Sequence, residues 1–179
     1  MSNLNYFIVN IFKHDVVNKF PVKNIKNTSV LQKICLSFKF KKYELNKILV
    51  SLVALELITC QKVSVSPSKK PKFILHLKDG TPVGCRITLR KFSAIRFLKY
   101  WVVNLQPIIK KINKVKLTKC HFLKNTMTLR INSVINIPEL EGNYFLFKQL
   151  SNLTITFVLK KQEFNTSGFF LKSIKLFCI

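Results

Sequence analysis

Four stretches of this chain alternate apolar and polar residues with a period of two, and that pattern restricts the fold more than any other feature. Ile34, Leu36, Phe38 and Phe40 alternate with Lys33, Cys35, Ser37, Lys39 and Lys41. Cys85, Ile87 and Leu89 alternate with Arg86, Thr88 and Arg90. Met127, Leu129 and Ile131 alternate with Thr128, Arg130 and Asn132; Leu153, Ile155, Phe157 and Leu159 alternate with Thr154, Thr156, Val158 and Lys160. Successive side chains of a strand point to opposite faces, so each stretch has an apolar side and a polar side. An antiparallel sheet covered on one face and open on the other requires this pattern.

Helical spacing fills the gaps between these strands. Leu45, Ile48, Leu49, Leu52 and Leu55 predict a helix from about Tyr43 to Thr59. Phe92, Ile95, Leu98, Val102 and Leu105 predict another, ended near Gln106 by Pro107. A short N-terminal helix is expected near Tyr6 to Phe20, stopping before Pro21. A last one is expected from Ser167, carrying Phe170, Ile174 and Phe177. Asp79-Gly80-Thr81-Pro82 is a turn signal, from which Phe73–Lys78 and Val83–Arg90 are expected to pair as a hairpin. Without repeats or a low-complexity linker, residues 1–179 are expected to form one α+β domain. It would comprise an N-terminal helix and extension at 1–28 and a core at 29–179, mainly an antiparallel sheet with helices packed on one face.

Charge then restricts the partner. Thirty-one Lys and Arg face seven Asp and Glu, a formal net charge of +24 on 179 residues. Lys13, Lys62, Lys124, Lys148 and Lys175 show that the excess runs through the whole chain. Nothing internal can neutralise it, and its natural complement is a dense polyanion whose condensed counterions are released on binding. A membrane surface recruits a basic cluster rather than an all-over coat, so no membrane partner is expected. Apolar residues make up 48% of the chain and sixteen residues are Phe, which excludes a disordered basic arm. The preference for Lys over Arg, with abundant Asn and Ile, suggests an AT-rich coding genome such as an organelle's. Cys35, Cys60, Cys85, Cys120 and Cys178 are odd in number and scattered, as reduced core thiols in a reducing compartment would be. The longest apolar stretch, Ile48 to Ile58, contains Glu56 and is too short to span a bilayer. Tyr6 to Phe12 has neither a basic leader nor a cleavage site, so a chain made in the organelle or already processed is expected.

If the strands are neighbours, their polar face gathers Lys33, Ser37, Lys39, Lys41, His76, Lys78, Arg86, Thr88, Arg90, Arg130 and Lys160. Cations meet phosphates, and small hydroxyls meet ribose 2′-hydroxyls. The bland reading of the same residues is a solvated sheet face. Enzymatic signals are weaker. His14, His76 and His121 are scattered, and Glu139 with Glu141 is the one close acidic pair that could hold Mg²⁺ in a nuclease. Cys120 and His121 are adjacent and would point to opposite faces of a strand, so no metal site is expected. Gly80 and Gly84 lack the spacing and following helix of a dinucleotide cradle, and no cofactor is expected. The aromatics, Trp101 included, are expected mainly on buried faces.

The stretch Gly80-Thr81-Pro82-Val83-Gly84-Cys85-Arg86-Ile87-Thr88-Leu89-Arg90 resembles the hairpin signature of the large-subunit ribosomal protein five family. Ile58-Thr59-Cys60-Gln61-Lys62 looks like that family's helix-ending Ser/Thr-Gly-Gln-Lys element, and Ile135-Asn136-Ile137-Pro138-Glu139 like its Ile-x-Phe-Pro-Glu loop. Asn152-Leu153-Thr154-Ile155-Thr156 is similar to its Asp-Ile-Thr-Ile-Thr strand, and the order holds from about Leu31 to Phe177. The chain departs from the pattern in places. Ser37 stands where the family commonly has Asn, and Lys91 where it has Gly. Lys69-Lys70-Pro71-Lys72-Phe73 replaces its Arg/Lys-Ser-x-Ala-Gly-Phe segment, and Leu123-Lys124-Asn125-Thr126 its Gly-rich turn. Loss of glycine is expected to remove positive-φ turns, with Asn125 able to substitute at the last of these.

The resemblance implies a structural, non-enzymatic constituent of an organellar large ribosomal subunit, mitochondrial before plastid. It would bind 5S rRNA, if present, or large-subunit rRNA in the central protuberance. The resemblance carries RNA contact to Ser37, Gln61 and Thr88, and with the cations the expected RNA-binding set is Lys33, Ser37, Lys39, Lys41, Gln61, Lys62, Arg86, Thr88, Arg90 and Arg130. Ser66, Lys69, Lys70 and Lys72, with Asp79, Gly80, Thr81 and Pro82, would approach peptidyl-site tRNA. Asn136, Ile137, Pro138, Glu139 and Glu141 would form an intersubunit bridge to a protein of the small-subunit head, among other ribosomal protein neighbours. The alternatives are an organellar nuclease or maturase and a non-ribosomal basic RNA-binding assembly factor.

Overall fold

The computed structural model describes residues 11–20, 31–40, 43–71, 73–75, 77–108, 121–123, 126–132, 134–160 and 169. The expected C-terminal helix, the Lys124-Asn125 turn, Lys41, Lys72, His76, Cys120 and Cys178 lie outside them.

All four alternating stretches are strands. They are β1 (Leu31–Lys39), β3 (Pro82–Arg90), β5 (Thr126–Ile131) and β6 (Leu153–Leu159), joined by the short β2 (Ser64–Pro67) and β4 (His121–Leu123). The sheet order is β2-β3-β1-β6-β5-β4. In β6 every second residue is buried, from Leu153 to Leu159, as period-two patterning requires. The fold is α+β, with strands supplying one apolar side for helices to cover. Among the described residues, the helices include α1 (Phe12–Lys19), α2 (Leu45–Thr59), α3 (Lys91–Tyr100), α4 (Pro138–Glu141) and α5 (Tyr144–Phe147).

Two compact units are built from these elements, one from chain segments 35–88 and 129–155, the other from segments 1–34, 89–128 and 156–179. In the first, α2 lies on the apolar side of β3. Buried Ser51 donates to the Ile48 carbonyl at 2.8 Å, and its Oγ lies 3.0 Å from Cys85 Sγ. Burial pushes the Cys85 thiol pKa up, with the Ser51 hydrogen bond pulling against it. β2 pairs antiparallel with β3, from Ser64 opposite Arg86 to Pro67 opposite Pro82. The hairpin partner of β3 is therefore β2 and not Phe73–Lys78. Residues 73–75 form a 3-10 turn, and Phe73 and Ile74 are 91% and 95% exposed. Three consecutive apolar residues after Pro71 have no alternation to bury one side, so nothing draws them into the sheet. The Asp79-Gly80 turn does form, with Gly80 at φ 78 and Ser68 bonded across to Thr81 and Gly80.

In the second unit, α3 runs directly into a π-helical segment, Trp101–Leu105. The Gln106 amide reaches back to the Trp101 carbonyl, and helix continues over residues 106–108, past Pro107 instead of ending before it. Proline clashes with the carbonyl four residues back, and widening the preceding turn to five-residue bonding relieves that conflict. Trp101 is 2% exposed and meets the Phe157 ring edge-on at 6.3 Å. On α1, Phe12 stacks on Phe169, with the Lys19 ammonium 4.4 Å from the Phe169 ring centre. β4 and β5 pair antiparallel, His121 opposite Thr128.

The backbone keeps left-handed turns where glycine is missing. Cys60 caps α2 at φ 54, and Lys91 opens α3 at φ 49. These are the positions at which the resembled family places Gly, so the turn has outlived the residue that makes it easy. An L-residue there costs about 1–2 kcal/mol in steric crowding. Cys60→Gly and Lys91→Gly should each stabilise the full chain by about 1 kcal/mol, raising Tm by about 2–4 °C. A thermal scan showing no rise would contradict the strain argument. Cys60 is exposed, against the expectation of core thiols, whereas Cys35 and Cys85 are buried.

Candidate nucleic-acid interface

The polar side of β1 and β3 is assembled within the first unit. Phe40 donates to Val83 at one end of the pair, and Cys35 Sγ lies 3.8 Å from Thr88 Oγ1 at the other, so the two strands run antiparallel. Ser37 lies between these crossing points. The Arg86 guanidinium reaches back over β1 to Cys35 Sγ at 3.5 Å, which roofs that thiol and leaves it 7% exposed although it sits on the outward set. Ser64 on β2 donates to the Arg86 carbonyl at 2.7 Å, fixing the backbone from the other edge. Lys39 and Arg86 are exposed, and Ser37 and Thr88 are half-buried. The arrangement is a cationic rim around small hydroxyls on rigid pleated backbone, able to hold phosphates while reading ribose oxygens.

Several carboxylates that could neutralise this rim are spent elsewhere. Glu56 Oε1 accepts from the Val63 amide, Asp79 from the Gly80 amide, and Glu44 pairs with Lys47 at 2.6 Å.

The remaining expected positions divide between the two units. Half-buried Gln61 and exposed Lys62 follow the α2 cap, and exposed Arg130 lies on β5 in the same unit. Half-buried Lys33 and exposed Arg90 belong to the other unit. Ser66 lies on β2 and not in a loop, while exposed Lys69 and Lys70 precede the 73–75 turn and Asp79–Thr81 close it.

Asn136 ends a 3-10 turn, and Pro138 to Glu141 form a helix rather than a loop, with Pro at its start. Ile137 and Leu140 are buried beneath exposed Glu139 and Glu141. Helical residues two apart do not face each other, so the acidic pair is poorly arranged to share one ion. Among the described residues, no group of three or more His, Cys, Asp or Glu is placed to hold a metal. Beside this segment is a cavity of about 270 Å³ lined in part by Asn132, Asn136, Tyr144 and Lys148. Sequence reading missed the exposed aromatics. Phe73, Phe92 and Phe145 are 91%, 71% and 94% exposed, and only turn or helix-end placement distinguishes them from core Phe.

No family model matches the chain. It is 26% identical over 178 residues to the large ribosomal subunit protein uL5m of Reclinomonas americana, covering 98% of this chain and 97% of that one. It is 28% identical to uL5m of Prototheca wickerhamii, covering 93% of this chain and 74% of that protein. It is 27% identical to uL5 of Pelobacter propionicus, covering 83% and 84% respectively. With alignment running nearly end to end and an α+β sheet carrying the Gly-Cys-Arg-Ile-Thr-Leu-Arg strand, the chain is similar over most of its length to uL5 proteins, mitochondrial ones among them.

Proposed function

We propose that this protein is a structural constituent of the mitochondrial large ribosomal subunit that binds ribosomal RNA through the polar side of β1 and β3. The observation supporting this reading is the Lys39, Ser37, Arg86 and Thr88 surface, set opposite the side on which α2 packs. Arg86 and Lys39 meet phosphates there, while Ser37 and Thr88 meet ribose hydroxyls. Gln61, Lys62 and Arg130 extend the contact, and Lys33 and Arg90 are further phosphate-binding cations. The RNA is 5S rRNA where the ribosome has one, in the central protuberance, and large-subunit rRNA otherwise. Lys69, Lys70 and the Asp79–Pro82 turn approach peptidyl-site tRNA. The Asn136–Glu141 segment meets a protein of the small-subunit head. Catalysis has no part in this role, which consists of charge neutralisation and shape recognition.

A photo-crosslinking amino acid placed at exposed Lys39, in full-length chain within purified mitochondrial ribosomes, tests the reading. Ribosomal RNA should be the adduct, and sequencing it identifies which RNA. Adducts confined to protein would overturn the assignment of this side.

A further inference from the structure

Helix α2 is apolar on two opposite sides. Ile48, Ser51, Ala54, Leu55 and Ile58 are buried. Leu45, Leu49, Val53 and Leu57, each four residues from the next, remain 54%, 51%, 51% and 43% exposed. At 3.6 residues per turn the two sets are centred about 180° apart. A helix apolar all round is ordinarily buried all round. Solvent is thus a poor neighbour for the outer stripe.

Local charge selects the occupant. Thirty-one Lys and Arg coat this chain, yet no cation stands on the outer stripe, whose polar members are Asn46 and Glu56. The single Lys of α2, Lys47, is paired to Glu44. A surface that met RNA would carry phosphate-binding cations. With Glu44 and Lys47 paired to each other, Glu56 is the one charge on the outer stripe, and it complements a cationic polypeptide. α4 and α5 both contact α2, and Tyr144, Phe145 and Leu146 on α5 are further exposed apolar residues of the same unit.

We infer that the outer side of α2 docks another protein of the assembled particle, through an amphipathic segment with apolar residues along its centre and Lys or Arg at its margins. This rests on the ribosomal reading above, and it assigns to protein a surface distinct from the RNA side of β1 and β3.

The test places a photo-crosslinking amino acid at Leu49 or Val53 of the full-length chain in purified mitochondrial large subunits, with adducts identified by mass spectrometry. One basic protein of the subunit should be captured from both positions. Leu49→Ser with Val53→Ser should lower its occupancy several-fold while the variant still sediments with the large subunit, because exposed positions tolerate such changes. Adducts to RNA, to this chain's own other segments or to a second copy would overturn the inference, as would undiminished occupancy in the double variant or absence of any adduct. Failure of the unmodified chain to sediment with the subunit would instead sink the ribosomal reading, so the two failures are distinguishable.

Discussion

Gly84→Ala is expected to cost the fold about 3 kcal/mol or more, a large share of the roughly 5–15 kcal/mol by which an ordinary domain is stable. A Cβ on Gly84 would press into the carbonyl oxygen of Phe38 and lie 3.4 Å from the Lys39 Cα. The obstruction is backbone, which no side-chain rotation can relieve. Nor can β3 swing away. Phe40 bonds to Val83 at 2.9 Å on one side, and Ser66 stands opposite Gly84 on the other. Opening the gap would separate β1 from β3 and disperse Ser37, Lys39, Arg86 and Thr88. Gly142→Ala is the matched control, since nothing lies within 4 Å of its added carbon. The Gly84 variant should lose cooperative thermal unfolding near the parent midpoint, while the Gly142 variant keeps it. A Gly84→Ala midpoint equal to the parent's would show that the close approach of these strands is not a constraint.

The strands were legible because alternation is a strong signal when one face must be buried; β6 shows it residue by residue, and β3 does from Cys85 to Arg90. β2 was not legible, being four residues, Ser64–Pro67, with a bulge and a proline. Its role as hairpin partner passes, on sequence alone, to Phe73–Lys78, where three apolar residues and the alternation of Leu75, His76, Leu77 and Lys78 imitate a strand. α2 was legible as a helix but not in its orientation. Leu45 and Leu49 fit the predicted stripe and are exposed, whereas Ser51 and Ala54 are buried. A helix apolar on both sides gives periodicity nothing to choose between. Of the interface, Ser37, Arg86 and Thr88 follow from strand parity. The arginine roof over Cys35 does not, because it depends on how two strands separated by some fifty residues are brought into register.

Replacing both Lys39 and Arg86 by alanine should weaken binding to ribosomal RNA about a hundred-fold or more, since a hydrogen bond to a charged group contributes about 1.5–3 kcal/mol. Both side chains are exposed, so the fold should survive. Removing each phosphate-binding cation also lowers the steepness of salt dependence by about one unit. The decisive measurement is the affinity of full-length chain for its large-subunit RNA across a salt series, parent against double variant. Weaker binding with a log–log slope shallower by about two is the predicted result. Equal affinity and equal slope would contradict the claim that this side of the sheet holds RNA.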